Sequence, residues 1–110
     1  MKRSKVQKLK AAGWKVGSVR EFLNLSAEEA SIIEMKLSLA EGVKKLRLAR
    51  RITQSQLAKQ LRSSQSRVAK LESADPTVSI DLLVRTLLVL GATRRDVGRI
   101  VGRKAKVTAA

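Results

Sequence analysis

The chain contains no cysteine, no histidine and no tyrosine. Without cysteine there can be no disulfide, no thiolate metal site and no cysteine nucleophile. Without histidine the commonest general base and the commonest metal ligand are missing. Aromatic residues are 2% of the sequence, namely Trp14 and Phe22, so any core is aliphatic. Proline occurs once, at Pro76, and acidic residues number 9 against 24 Lys plus Arg. No run of 18 apolar residues is present, so no segment reads as a membrane span. The basic start MKRSKVQKLK is not followed by the apolar stretch of a signal peptide. The expected location is therefore cytoplasmic, with no membrane contact. No serine–lysine dyad motif, Gly-rich phosphate loop or metal-ligand spacing occurs, so neither an enzyme nor a cofactor is expected.

What the chain does have is length for one domain, apolar content and positive charge. It holds 110 residues, of which 44% are hydrophobic, and carries a formal charge of +15. That excess points to a polyanion as partner. The charge is unevenly placed. Residues 1–20 have seven basic and no acidic residues, residues 21–42 are at −4, and residues 43–72 are at +8. Residues 73–92 stand at −1 and residues 93–110 at +5.

The periodicity is helical throughout, and no strand alternation or internal repeat is visible. Residues 1–16 read as a flexible basic arm, with Trp14 a candidate anchor. Ser18 to Glu21 fits a capping box, so a short helix is expected over 18–24. Ser26 to Glu29 fits a second box. It opens a longer helix over 26–50 with the stripe Ile32, Met35, Leu39, Val43, Leu46 and Ala49. Ser38 to Glu41 fits a further box, and Gly42 weakens a helix by about 1 kcal/mol relative to Ala. A bend or a restart near residue 38 is therefore expected. The expected division is a helical extension at 17–37, a domain at 38–103 and a loose tail at 104–110.

Thr53 and Gln56 form another start signal. Leu57, Ala58 and Leu61 then line the inner face of a helix of barely two turns. Arg62 and Ser63 interrupt it. Ser64 starts a second short helix with Val68 and Leu71 inward, ending near Ser73. Two short helices joined by about three residues make the helix-turn-helix pattern. Ala58 is small because it sits where the two helices cross. Asp75-Pro76 breaks the chain, and Ser79 caps a helix to Leu90 with Gly91 after it. Ile80, Leu83, Val84, Leu87 and Leu88 make its inner stripe. Leu82, Val89 and Leu90 are surplus, and this surplus predicts either complete burial of the helix or, as the favoured reading, a homodimer contact. A last helix is expected between Thr93 and Arg103 around Val97, Ile100 and Val101. The fold class expected is all-α, a compact bundle of five helices plus the N-terminal extension.

The second short helix leaves Gln65, Ser66, Arg67 and Lys70 on its outer side. Docked in a major groove, the start of such a helix meets base edges. Glutamine suits adenine and arginine suits guanine, each through paired hydrogen bonds. Phosphate contacts are expected from Gln54, Ser64, Arg50, Arg51 and Arg62, with Lys44, Lys45 and Arg47 on the preceding helix.

The stretch LRLARRITQSQLAKQLRSSQSRVAKLE, residues 46–72, resembles the XRE-type helix-turn-helix family of Cro and phage repressors. The family pattern is an Arg-rich helix end, T-Q-x-x-L-A, then S-Q-x-x-V/I-x-x-L/I-E. It falls on Thr53, Gln54, Leu57, Ala58, Ser64, Gln65, Val68, Leu71 and Glu72. The resemblance implies a lambda-repressor-like fold over about 39–103, Gln54 at a phosphate and Gln65, Ser66, Arg67 and Lys70 at the groove. It makes Glu72 a structural partner of Arg47 or Arg50. The family's usual turn glycines are replaced by Arg51 and Arg62, so either the turns differ or these arginines are kept for phosphate. FLNLSAEE at 22–29 and VSIDLLVRTLLVLGA at 78–92 resemble the HigA-type antitoxins. That implies a dimeric repressor of double-stranded DNA. The alternative is an antitoxin whose acidic 21–42 segment holds a small basic toxin. A nucleoid or RNA-binding protein driven by charge alone is a third reading.

Overall fold

A computed structural model describes residues 25–103. The expected arm at 1–16, the helix at 18–24 and the tail at 104–110 lie outside the described residues. Within them are five helices and no strand: α1 (Ala27–Ala49), α2 (Gln54–Gln60), α3 (Gln65–Glu72), α4 (Ile80–Val89) and α5 (Arg94–Gly102). The all-α, five-helix expectation holds.

Each helix begins where a side chain satisfies the free N–H groups of its first turn. Ser26, Thr53, Ser64, Ser79 and Thr93 are the caps. Three are complete capping boxes, with Glu29, Gln56 and Asp96 reaching back to the cap's own N–H. The Ser26 N–H bond holds the Glu29 carboxyl below its ordinary range, and the Thr93 N–H bond does the same for Asp96.

The helix ends are equally regular. After α1, α2, α3 and α4 the chain closes with a six-to-one and a five-to-two backbone hydrogen bond, the Schellman arrangement. Its turn residue must take positive φ. Only α4 supplies glycine, Gly91 at +100°, whereas Arg51, Arg62 and Ala74 stand at +56°, +55° and +56°. The turns therefore do not differ from the glycine geometry; the arginines adopt it. A non-glycine residue there is strained by about 1 kcal/mol. Ala74→Gly should raise stability by about that amount, and Tm by roughly 4–8 °C for a domain of this size. Arg51→Gly should do likewise. Thermal unfolding followed by circular dichroism checks both; an unchanged or lower Tm for Ala74→Gly refutes the strain argument.

Helix α1 is the spine, packing against α3, α4 and α5, while α2 packs on α3. Leu39, Val43, Leu57, Val68, Leu71, Leu83 and Leu87 are fully enclosed in one core. Ala58 is buried as its small size required.

Three local expectations are corrected. Helix α1 runs unbroken through residue 38, so the division at 37 falls inside a single helix. Ser38 is buried mid-helix, where its hydroxyl donates to the Arg103 carbonyl at 3.2 Å instead of capping. Gly42 stands where α5 crosses: an added Cβ would meet Ile100 Cδ1 at 3.1 Å. Close approach of two helices thus outweighs its poor helix propensity. On α4 the inward stripe is Leu83, Thr86, Leu87 and Leu90. Thr86 is tolerated there because its hydroxyl donates to the Leu82 carbonyl at 2.7 Å.

Candidate nucleic-acid interface

Helices α2 and α3 are joined by residues 61–64, and the Schellman turn sets their crossing. Val68 and Leu71 enter the core, so the remaining faces of α3 are forced outward. Gln65, Ser66, Arg67 and Lys70 are all exposed and share the outer side of one short helix. Lys59 in the last turn of α2, and Arg62 and Ser63 in the turn that follows, are also exposed.

A chain of hydrogen bonds ties this surface to the interior. Arg47, 8% exposed, forms a two-pronged ion pair with Glu72, Nε to Oε2 at 2.5 Å and Nη2 to Oε1 at 3.0 Å. Arg47 also donates to the Ile52 carbonyl at 2.8 Å, at the end of α1. Glu72 Oε1 accepts from Gln54 Nε2 at 3.1 Å. Gln54 Oε1 in turn accepts from Gln65 Nε2 at 2.6 Å. Hydrogen bonding to Glu72 pushes the Arg47 pKa above its ordinary value, so the guanidinium stays charged. Of the two partners named for Glu72, it is Arg47 that pairs with it. Arg47 is consequently held inside the fold and leaves the set of phosphate candidates, because its guanidinium is buried and three of its five N–H donors are committed to Glu72 and Ile52.

The network also decides what Gln65 can still do. One of its two Nε2 hydrogens goes to Gln54, which leaves one donor and a free Oε1 acceptor. A donor and an acceptor side by side are what the major-groove edge of adenine requires.

The other expected site residues fall as follows. Ser64 caps α3, its Oγ accepting from Arg67 N at 3.2 Å and lying 3.2 Å from Ser66 Oγ. Arg51 and Arg62 are exposed at their strained turns. Arg50 goes elsewhere: its guanidinium covers Gly91, where an added Cβ would come within 2.6 Å of Nη2. It lines a groove with Lys45, Ala92 and Arg99 between α1 and α5, away from α3. Lys45 pairs with Glu41 at 3.2 Å, and Arg99 pairs with Asp96.

The three residues expected at a dimer contact separate. Val89 is 42% exposed, Leu82 is half-buried, and Leu90 is 3% exposed within the core. Leu90 is corrected to a core residue: it ends the inward stripe, seven positions after Leu83. Leu88, assigned to the inner stripe, is instead 44% exposed beside Val89. Sequence reasoning missed Arg85, an exposed cation of α4 beside Arg62 and Arg67, because nothing local marks it.

Among the described residues no cluster of acidic side chains could hold a metal ion, and no helix is long and apolar enough to cross a membrane. No match to the chain was found among curated proteins or among solved structures. A helix-turn-helix family model, HTH_3, matches residues 43–97, from the middle of α1 into α5, which is half of the chain. With α2 and α3 standing as the two crossed helices of that match, the chain belongs to the XRE-type helix-turn-helix family, whose members are DNA-binding transcription regulators.

Proposed function

We propose that the protein is a sequence-specific repressor that binds double-stranded DNA as a homodimer, with α3 in the major groove. The observation that carries this reading is the outward row Gln65, Ser66, Arg67 and Lys70, with Gln65 held by Gln54 in a state that retains one donor and one acceptor. Gln65 and Arg67 read base edges, and Ser66 and Lys70 support them. Gln54, Ser64, Arg51 and Arg62 serve the phosphates. The neighbouring exposed pair Leu88 and Val89 supplies apolar surface for the second copy. Two half-sites then lie about one helical turn, roughly 34 Å, apart.

Selection of bound duplexes from a random pool, followed by Gln65→Ala, tests the reading. The expected result is a two-part site whose preference relaxes at one or two base positions per half, at about 1–3 kcal/mol each. Equal weakening on every sequence, with no relaxed position, would show a binder driven by charge alone and sink the proposal.

A second reading, toxin neutralisation in the manner of HigA-type antitoxins, is favoured by the first half of α1. That half lies before the matched family region and carries Glu28, Glu29 and Glu34 around Ile32, which is 45% exposed. An acidic face with an exposed apolar residue suits a small basic protein. Co-purification with the product of the adjacent gene tests it, and the repressor reading stands whichever way that result falls.

A further inference from the structure

The turn after α2 and the outer side of α4 enclose a cleft of about 310 Å³. Three arginines from three separate elements line it: Arg62 from the turn, Arg67 from α3 and Arg85 from α4. Leu61 and Leu82, both half-buried, form part of its floor. Arg67, Leu82 and Arg85 also line a second hollow that continues along α4 past Asp81 to Leu88. Among the described residues the salt bridges are Lys45–Glu41, Arg47–Glu72 and Arg99–Asp96, so none of the three guanidiniums is neutralised. Asp81 stands one turn before Arg85 and forms no ion pair with it.

Three unneutralised cations around one space repel one another unless an anion sits among them. Their apolar floor keeps water away from part of the cleft and strengthens each charge interaction. All three are arginines, whose planar forks match the oxygens of a phosphate. Arg62 keeps its side chain at a backbone position that favours glycine, φ +55°. Arg67 belongs both to this cleft and to the outer row of α3, so an anion seated here lies directly beside whatever α3 faces.

We propose that the cleft seats a phosphodiester of the DNA backbone, which makes Arg85, outside the helix-turn-helix unit, a DNA-gripping residue. The leucine floor meets the deoxyribose carbons, and Arg62 and Arg85 hold the phosphate from its two sides. The proposal rests on the DNA-binding reading and extends it to α4. Such a contact fixes the seating of α3 without reading sequence.

The test is binding of the full chain to duplex DNA over a range of salt concentrations. Arg85→Ala is expected to weaken binding about tenfold on every sequence alike. It should also make the log–log salt dependence of the proposed dimer less steep by about 1.8, one phosphate contact being lost in each subunit. Arg85→Lys should keep the salt dependence, because the charge remains, while losing part of the affinity with the fork. Arg62→Gly should raise Tm and weaken DNA binding, two effects of opposite direction that a merely structural role would not produce. Ala74→Gly, at a residue with no proposed contact of its own, should raise Tm and leave affinity alone. Wild-type affinity and salt dependence in Arg85→Ala would overturn the proposal while leaving the DNA-binding reading intact. If Arg85→Ala instead abolished binding of inorganic phosphate to the DNA-free protein and left DNA binding unchanged, the cleft would serve a free anion and the proposal would fall. Absence of salt-dependent duplex binding by the wild type would overturn the underlying reading itself.

Discussion

Replacing Glu72 by alanine is expected to destabilise the domain by about 3–5 kcal/mol, because it leaves a buried cation without its counter-ion. Domains of this kind have total stabilities of only about 5–15 kcal/mol, so the variant should sit close to the edge of unfolding. The size of the effect follows from the geometry. The side chains of Arg47 and Glu72 are only 10% and 5% exposed, and Glu72 also receives Gln54. Removing the carboxylate therefore strips Arg47 of two hydrogen bonds and Gln54 of one, with little water to replace them. The same substitution unties Gln65 from the interior, since Gln54 loses the bond that orients its amide. A double variant, Arg47→Met with Glu72→Leu, should recover much of the loss, because apolar groups of similar volume often replace a buried pair at little net change. Denaturant unfolding of the two single variants and the double variant measures the coupling. Independent, additive losses would show that the pair is not the unit described here.

Raising salt from 50 to 200 mM is expected to weaken operator binding about a thousandfold. The physical source is release of counter-ions from DNA when cations neutralise phosphates, which gives a log–log slope of about −0.9 per phosphate. Arg51, Arg62 and Arg85 are three exposed cations per subunit, so the dimer proposed above would neutralise about six phosphates, for a slope near −5. The chain's excess of 24 basic over 9 acidic residues would by itself give a salt effect without sequence preference. The slope therefore measures the electrostatic part, and the base preference of Gln65→Ala measures the rest. Fluorescence anisotropy with labelled duplex at several salt concentrations gives the slope directly. A value near zero contradicts the account of how the surface holds DNA.

The local signals were legible because they act over three or four residues. Thr53 with Gln56, Ser26 with Glu29, and Ser64 and Ser79 before apolar repeats each name a helix start, and the helices begin there. The outward row on α3 was legible for the same reason: Val68 and Leu71 point inward, so Gln65, Ser66, Arg67 and Lys70 cannot. The resemblance supplied the Glu72 partnership, and the structure selected Arg47 from the two arginines one turn apart. What failed was any inference needing a neighbour distant in sequence. Ser38 and Glu41 have the letters of a capping box, yet α1 continues because its apolar face keeps packing on α4 and α5 past that point. Leu88 and Leu90 exchanged sides because the stripe of α4 was placed by period alone, and a ten-residue helix fits two phases almost equally.

From the amino-acid order alone came the helical class, the caps, the pair of short helices and the residues that the second one turns outward, since these depend on spacing and on side-chain chemistry within a few turns. Only the packed molecule decided which cations remain free: it drew Arg47 inward to Glu72, laid Arg50 over Gly91, and brought Arg85 of α4 beside Arg62 and Arg67. The reason is that a charge is neutralised, or left to meet a phosphate, by whatever lies within a few ångströms, and for these residues those neighbours come from elsewhere in the chain.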